Sequence, residues 1–305
     1  MSLNYEKNED SEFVHYTDAL DREISLIRTN GTLTGIVSSF FRPLFVPQKD
    51  SLRFGIIGDT HGHMTDALTK LDEWVEFSGL PLDALLQVGD IGAFDDTSVL
   101  DRVTREMAEK DSEELGFKKY LQGSPEADKF FGKNGAFEKI NLYFVEGNHD
   151  DINYVLQNYN EQTLQIGAYS NIRYIPENRV VNVSNDKQQV SIAGLGWNAT
   201  KQYVNPAKEQ VDIFLSHQVP KSVDTPYGDE EVAKHIESFP PTYHFFGHSH
   251  NRAVSLSDIP KNQYGLTNVQ KSKGKLKPGS IGVLEITSEK EHQFLYLPED
   301  SLRSF

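Results

Sequence analysis

Five short apolar runs in this sequence are each followed directly by a small group of Asp, Asn or His residues. Continuous apolar runs of this length are typical of strands that are buried on both faces of a sheet. Because ligands of open α/β sheets collect outside the carboxyl ends of the strands, the groups are predicted to meet in one crevice. They contain six of the ten histidines. The groups are Asp59 to His61 with His63, Gly89-Asp90, Asn148 to Asp150, His217, and His248 to His250.

From Leu52 onward, apolar runs alternate with segments of helical spacing, which predicts an α/β fold. Met64 to Phe77 has its apolar residues on one side of a helix and separates the first two predicted strands. Residues 282–287 and 292–297 are predicted to be late antiparallel strands. We expect stacked sheets with helices outside. The earlier predicted strands are Phe54–Gly58, Ala84–Val88, Leu142–Val145, Val190–Gly194, Ile213–Ser216 and Tyr243–Phe246.

Residues 1–50 differ in sequence pattern from the remainder of the chain. They are predicted to be an N-terminal extension of a main domain at 51–305. Thr17 to Thr29 is predicted to be an amphipathic helix, because three aliphatic residues recur at near-helical spacing. The segment 36–46 is too apolar to remain in water, so we expect it to pack on the main domain. The alternative is that residues 36–46 bind a protein partner.

A long polar interval after Asp90 predicts an insertion in the domain at about 94–140. Thr97 to Met107 has an amphipathic pattern, which favours an ordered insertion over a disordered loop. Because both ends of the insertion adjoin the polar groups, it can form a lid or a wall of the crevice. The alternative is that it packs away from the crevice.

Charge and composition exclude several classes of protein. The chain has 30 Lys and Arg against 45 Asp and Glu, a net charge of −15, so nonspecific DNA binding is not expected. It has no cysteine, which excludes disulfides, thiolate metal sites and cysteine nucleophiles. The N-terminus has no signal-peptide pattern, and the stretch Ile36 to Val46 is too short to span a bilayer. We therefore expect no membrane association and a cytoplasmic location.

The residue types of the polar groups are typical of a site for two metal ions. Carboxylate, imidazole and amide oxygen together suit Mn, Fe or Zn. Asp59 and His61 can chelate one ion, and Asp90 can bridge it to a second. Two ions about 3.5–4 Å apart can activate water and hold both oxygens of a displacement at phosphorus. The predicted ligands are Asp59, His61, Asp90 and His250 for one ion and Asp90, Asn148, His217 and His248 for the other.

This ordered set resembles the calcineurin-like metallophosphoesterases, whose motifs run Asp-x-His, Gly-Asp, Gly-Asn-His-Asp/Glu, His and Gly-His-x-His. All five motifs are present in order within residues 54–250, and Pro278 to Ser280 is similar to a Pro-Gly-Ser element of the family. The resemblance implies a four-layer αββα sandwich of two mixed β-sheets flanked by helices, with a dinuclear metal site at the strand C-terminal ends. It implies two divalent or trivalent ions, Mn, Fe or Zn, with Mn favoured.

Two narrower resemblances point in different directions. Gly58 to Gly62 is similar to the first motif of the protein Ser/Thr phosphatases, but Ala93 stands where those enzymes carry an Asp. The long insertion, Asn153-Tyr154-Val155 and the Asp212 to His217 strand are similar to the RNA lariat debranching enzymes. The chain departs from those in having Asp59 in place of Cys, and it also has Asp150 in place of Glu.

The expected function is hydrolysis of a phosphate ester by attack of a metal-activated hydroxide at phosphorus. The expected catalytic residues are His149, Asp90 and Asn148, with His149 as the acid that protonates the leaving oxygen. A phosphodiester is favoured because Arg252 is the only arginine beside a motif, and two substrate charges would need more cations. The alternatives are a protein Ser/Thr phosphatase-like phosphomonoesterase and, from another class, a non-catalytic scaffold with a retained metal site.

Overall fold

Two six-stranded mixed β-sheets lie face to face in this computed structural model. It describes residues 4–7, 11–39, 44–95, 100, 102–197, 209–222, 225–249, 254–256, 262–272, 275–289 and 291–303. The strands are β1 (Asn4–Lys7), β2 (Glu12–Thr17), β3 (Glu23–Thr29), β4 (Thr32–Ser38), β5 (Leu52–Ile57), β6 (Ala84–Gln87), β7 (Asn141–Phe144), β8 (Ile172–Tyr174), β9 (Val180–Ser184), β10 (Gln189–Leu195), β11 (Ile213–Ser216), β12 (Tyr243–Phe246), β13 (Val254–Leu256), β14 (Gln263–Gly265), β15 (Lys271–Ser272), β16 (Lys275–Leu276), β17 (Ile281–Ile286) and β18 (His292–Tyr296). The helices within the described residues are α1 (Met64–Ser78), α2 (Arg102–Lys110), α3 (Lys118–Gln122), α4 (Pro125–Phe131), α5 (Ile152–Asn158) and α6 (Glu230–Ser238).

Both sheets combine a parallel centre with antiparallel edges. The first has the order β18-β17-β5-β6-β7-β8, and β5 to β8 are parallel. The second has the order β13-β14-β12-β11-β10-β9, in which β10, β11, β12 and β14 are parallel. The carboxyl ends of β5, β6 and β7 therefore lie side by side, and so do those of β11 and β12. This arrangement positions the predicted site.

Three apolar layers hold the sheets and helices together. Between the sheets, Phe54 and Ile56 of the first share a buried cluster with Leu215 and Phe245 of the second. Outside the first sheet, α1 buries one face in the pattern i, i+3, i+4, i+7 that periodicity predicts. Outside the second sheet, α6 packs on β10 and β11. The four-layer αββα sandwich is confirmed. The buried apolar residues of α1 are Met64, Ala67, Leu68, Leu71, Trp74 and Phe77.

The predicted helix at Thr17–Thr29 is wrong. These residues belong to β2, a turn and β3 of a four-stranded antiparallel sheet, β1 to β4. Ile24 and Leu26 are buried and their neighbours are less so, which is the period of two of a strand. The turn is fixed by Asp18, whose carboxylate accepts hydrogen bonds from the Arg22 backbone and guanidinium.

The N-terminal sheet packs on α1 and on the edge strand β18. Leu26 lies in the same buried cluster as Trp74, and the Arg28 guanidinium lies 4.5 Å above the Phe77 ring. The Tyr16 hydroxyl donates a 3.0 Å hydrogen bond to the Tyr296 carbonyl. The division of the chain into an extension and a main domain remains a prediction.

The segment 36–46 is only partly packed. Ile36 and Phe45 are buried and pair with each other, whereas Leu44 and Val46 are 44% and 49% exposed. Residues 40–43 lie outside the described part of the chain. A protein partner at this segment stays a prediction.

The insertion contains α2, α3 and α4. The amphipathic stretch Thr97 to Met107 overlaps α2, which runs from Arg102 to Lys110, and residues 96–99 and 101 lie outside the described part. Phe117 contacts Phe144 of β7 with their rings 6.2 Å apart, and Tyr120 is fully buried in the same cluster. The second half of the insertion is therefore part of the core. None of the described helices combines the length and the apolar character needed to cross a membrane.

Candidate metal centre and active site

The polar groups that follow the parallel strands meet at one edge of the sandwich. Three sets of side chains there have ligand atoms that all lie within 4.8 Å of one another. His250 and Arg252, which the sequence also placed at this site, lie outside the described residues. The sets are Asp59, His61 and Asp90; Asp90, His217 and His248; and His61, Glu114 and His149.

The first set contains the predicted ligands of one ion. Asp59 and Asp90 are fully buried, and His61 Nε2 lies 3.7 Å from Asp90 Oδ2. The Asp90 carbonyl accepts hydrogen bonds from the backbone N–H groups of Thr60 and His61, which ties the β5 loop to the β6 loop. Asp59 Oδ2 accepts a 2.8 Å hydrogen bond from the His248 backbone N–H, which joins the two sheets at the site.

In the second set, His217 lies close to oxygen atoms of Asp90 and of the neighbouring Asn148. His217 Nδ1 lies 3.1 Å from the Val88 carbonyl, which can only accept, so Nδ1 carries the hydrogen. His217 Nε2 then lies 2.9 Å from Asn148 Oδ1 and 3.4 Å from Asp90 Oδ2, both of which are acceptors. Asp90 Oδ2 is buried and has no hydrogen-bond partner within the described residues. A cation between these atoms satisfies all three, so the residues fit a metal ion.

The charged side chains of the site shift the pKa values of one another. Burial alone would lower the pKa of His217, but the adjacent Asp90 and Asp59 carboxylates raise it to about 9. Burial likewise opposes protonation of His61, and Glu114, Asp90 and Asp59 raise its pKa to about 9. Burial would raise the pKa of Asp90, but the His217 and His61 rings hold it well below its usual range. The carboxylates of the site therefore stabilise positive charge at His61 and His217.

Backbone strain is concentrated at the same residues. His61, Asp90 and His248 have φ angles of 42°, 53° and 63°, in the left-handed region that non-glycine residues rarely occupy. Gly89 has φ of 100°, and a Cβ there would lie 2.5 Å from His217 Nδ1. A Cβ at Gly147 would collide with the Asp90 carboxylate. Glycine at these two positions lets the backbone approach the candidate ligands.

Comparison with protein families identifies the family of the chain. The calcineurin-like phosphoesterase profile matches residues 52–252. The chain belongs to this family. It is accordingly a metallophosphoesterase, a hydrolase of phosphate esters, and the family is typically metal-dependent.

Other comparisons add little to the family assignment. No curated protein gives a sequence match. A phosphatase from Mycoplasma pneumoniae covers 84% of this phosphoesterase and 96% of its own chain, at 10% identity and a TM-score of 0.40. A predicted phosphoesterase from Streptococcus pneumoniae covers 82% and 100%, at 12% identity and a TM-score of 0.34.

The insertion of this phosphoesterase contributes two contacts that the sequence did not reveal. The Thr104 hydroxyl of α2 lies 3.1 Å from His149 Nδ1. Glu114 Oε1 lies 3.2 Å from His61 Nδ1 and is almost fully buried. Both contacts use the ring nitrogen that fixes the orientation of a histidine while the other nitrogen faces the site. The contacts join residues 45 and 53 positions apart, so no local pattern could have indicated them.

Asp150 and His63, which belong to the polar groups of the sequence, also have defined contacts. Asp150 Oδ1 accepts hydrogen bonds from the backbone N–H groups of Gly92 and Ala93, and Oδ2 accepts one from Gly147. It therefore clamps the β6 and β7 loops around Asp90. His63 Nε2 lies 2.9 Å from Asp111 Oδ2 at the end of α2.

Trp197 is another residue at the site that the sequence analysis did not identify. Its ring centroid lies 5.0 Å from that of His248 and 6.2 Å from that of His217. It comes directly after β10 and Gly196, so the rule that strand ends carry site residues could have identified it.

An open pocket of about 230 Å³ lies beside the candidate ligands. The insertion forms one wall, and the segment before β15 forms the other. The expectation that the insertion could pack away from the crevice is therefore wrong for α2. The lining residues are His61, His63, Val103, Met107, Asp111, Glu114, His149, Asn268, Val269 and Gln270.

Proposed function

We propose that this phosphoesterase hydrolyses a phosphodiester at a dinuclear metal centre. The observation that supports the metal assignment best is Asp90 Oδ2, a buried carboxylate oxygen 3.4 Å from His217 Nε2 and 3.7 Å from His61 Nε2. One carboxylate oxygen that lies near two imidazoles is suited to a shared ligand. The proposed ligands are Asp59, His61, Asp90 and His250 for one ion and Asp90, Asn148, His217 and His248 for the other, with Mn favoured.

When bound, two metal ions supply Lewis-acid activation of water and neutralise charge on the phosphate. The protein residues position the ligands and supply the proton. Asp150 holds the loops that carry Asp90 and Gly147, so the candidate ligands keep their positions. His149 lines the pocket with Nδ1 at the Thr104 hydroxyl, which leaves Nε2 as the nitrogen that can give a proton to the leaving oxygen.

The diester preference is supported by the chemistry of the pocket. Among the described residues that line it, none is Lys or Arg, so the pocket offers no guanidinium or ammonium group to a second phosphate charge. The insertion supplies a wall next to His149, where the second ester group of a diester can lie. The monoester alternative would instead require cations near the phosphate.

The test compares 4-nitrophenyl phosphate with methyl 4-nitrophenyl phosphate, which share a leaving group and differ in one charge. With Mn supplied, we expect kcat/KM to be higher for the diester, after division by the uncatalysed rates. A higher value for the monoester favours the phosphatase-like alternative. Hydrolysis of neither ester with Mn, Fe, Co, Ni or Zn favours the non-catalytic scaffold.

A further inference from the structure

We infer that the pocket between α2 and residues 268–270 binds the leaving alcohol of the substrate, and that this alcohol is uncharged and partly apolar. The inference rests on the proposed function. His149 connects this pocket with the proposed reaction, because it lines the pocket and is the proposed donor of a proton to the leaving oxygen. The group attached to that oxygen must therefore lie against the walls of the same pocket.

One wall is apolar although it is open to solvent. Val103 and Met107 are four residues apart on α2, so they lie on one face of the helix. They are 48% and 41% exposed, so both side chains are accessible to a ligand in the pocket. Thr104, next to Val103, is buried and reaches His149, so the helix is oriented with this face along the pocket. An apolar part of a ligand would cover these two side chains.

The other wall is polar and firmly held. The Val269 backbone N–H donates a 2.7 Å hydrogen bond to the Asp59 carbonyl, and the Gln270 carbonyl accepts one from the Lys277 backbone N–H. The Asn268 amide oxygen accepts a hydrogen bond from Lys277 Nζ. Asn268 and Gln270 both line the pocket and are uncharged, so this wall is suited to hydroxyl or carbonyl groups of a neutral ligand.

The charges at the pocket disfavour an anionic alcohol. Asp111 and Glu114 line it, whereas no described lining residue is Lys or Arg. The nearby Lys271 is paired with Asp66, whose carboxylate it contacts at 2.5 Å. His63 contacts Asp111, but Asp111 keeps 35% of its side chain exposed. A carboxylate or phosphate on the leaving alcohol would approach these acidic groups with no lining Lys or Arg to pair with it, so like-charge repulsion would select against it.

The test uses two methyl aryl phosphodiesters whose 4-nitrophenol leaving group carries a carboxamide or a carboxylate at the same ring position. For the Mn-loaded enzyme, kcat/KM is divided by the uncatalysed rate of each ester. We expect the carboxamide ester to be preferred by about tenfold or more, which corresponds to about 1.4 kcal/mol. Asp111→Asn should reduce this preference several-fold, because it removes the charge and keeps the side-chain shape.

Glu109→Gln is the matched control, because it removes the same charge from an exposed position of α2. It should leave the preference unchanged. Equal use of both esters, or a preference that Asp111→Asn does not alter, overturns the inference while the phosphoesterase assignment stands. If neither ester is hydrolysed, the proposed function fails. Calorimetric titration with the two free phenols then tests the inferred pocket directly. Equal affinity for the carboxamide and the carboxylate phenol would contradict its preference for an uncharged alcohol.

Discussion

Asp90 is the residue on which the proposed centre depends most. Its carboxylate is fully buried, faces His61 and His217, and accepts a hydrogen bond from the His149 backbone N–H at 2.6 Å. It is held in a left-handed backbone conformation by the loop contacts around it. Such a strained, buried carboxylate is retained only where the surrounding structure fixes it.

Asp90→Ala is expected to remove both metal ions, because one side chain is proposed to serve both. Metal content after dialysis, measured by mass spectrometry, should fall from about two ions per chain to less than one. Asp186→Ala, at an exposed position, is the control and should keep the wild-type content. Retention of two ions by Asp90→Ala would contradict the shared-ligand assignment.

Thr104 is a positioning residue for His149. Its hydroxyl contacts Nδ1 at 3.1 Å. Thr104→Val keeps the volume of the buried side chain and removes the hydroxyl, so the ring loses its orientation while the fold is retained. Because general acids contribute about 10²–10⁴-fold, we expect kcat to fall about tenfold or more for an alkyl leaving group.

The leaving-group dependence separates positioning from a merely structural role. The loss in Thr104→Val should be much smaller with 4-nitrophenol, which leaves without protonation, and Thr104→Ser should restore turnover. Metal content and thermal unfolding of the variants provide the controls. An equal loss for both leaving groups would count against positioning of a proton donor.

At the scale of elements, the sequence predicts what local pattern and sheet geometry determine. The strand-end groups converge because parallel strands place their carboxyl ends at one edge, so Asp59, Asp90 and His217 could be assigned to one site in advance. The helix proposed for Thr17–Thr29 failed because Leu20, Ile24 and Ile27 match a helical spacing only by coincidence. The alternation of Ile24 and Leu26 was the stronger signal, and Asp18 with Arg22 builds the turn between strands.

The contacts of the insertion could not be predicted, for a different reason. Thr104 and Glu114 reach the site only because Phe117 and Tyr120 anchor the insertion in the core beside β7. Their position depends on packing between distant segments, which no periodicity encodes. The sequence indicated only that both ends of the insertion adjoin the site.

The N-terminal sheet stabilises the element that it covers. Leu26 of β3 is fully buried in the cluster that contains Trp74 and Phe77 of α1. Leu26→Ala is therefore expected to lower the free energy of unfolding by about 2–5 kcal/mol. Val37→Ala, on the same sheet at 37% exposure, should change it by less than about 0.5 kcal/mol. Urea unfolding followed by circular dichroism measures both, and equal effects would show that the sheet adds little.

At the scale of the whole molecule, the site joins the two sheets. Asp59 of the first sheet bonds the His248 backbone after β12, and His217 after β11 bonds the Val88 carbonyl after β6. The charge state of this edge therefore affects the stability of the complete sandwich. A metal ion that binds only the folded chain adds to that stability by mass action.

The metal-free protein is expected to lose stability as the pH rises above neutrality. In the folded chain the pKa values of His61 and His217 are raised to about 9, from 6.5 for an unperturbed histidine. Between these values the folded state binds more protons than the unfolded state. The resulting stabilisation is fully present below about pH 6.5 and is lost as the pH rises through about 9. Tm measured in EDTA should fall across this window.

Bound Mn replaces the protons at these rings, so the Tm of the Mn-loaded protein should change less over the same range. The increase in Tm that Mn causes should therefore grow from pH 6.5 to pH 9, because protons compete with the metal for the same nitrogens at the lower pH. His217→Gln should flatten the slope measured in EDTA, since it removes one of the two titrating rings. Parallel Tm curves with and without Mn would mean that the metal does not bind at these histidines.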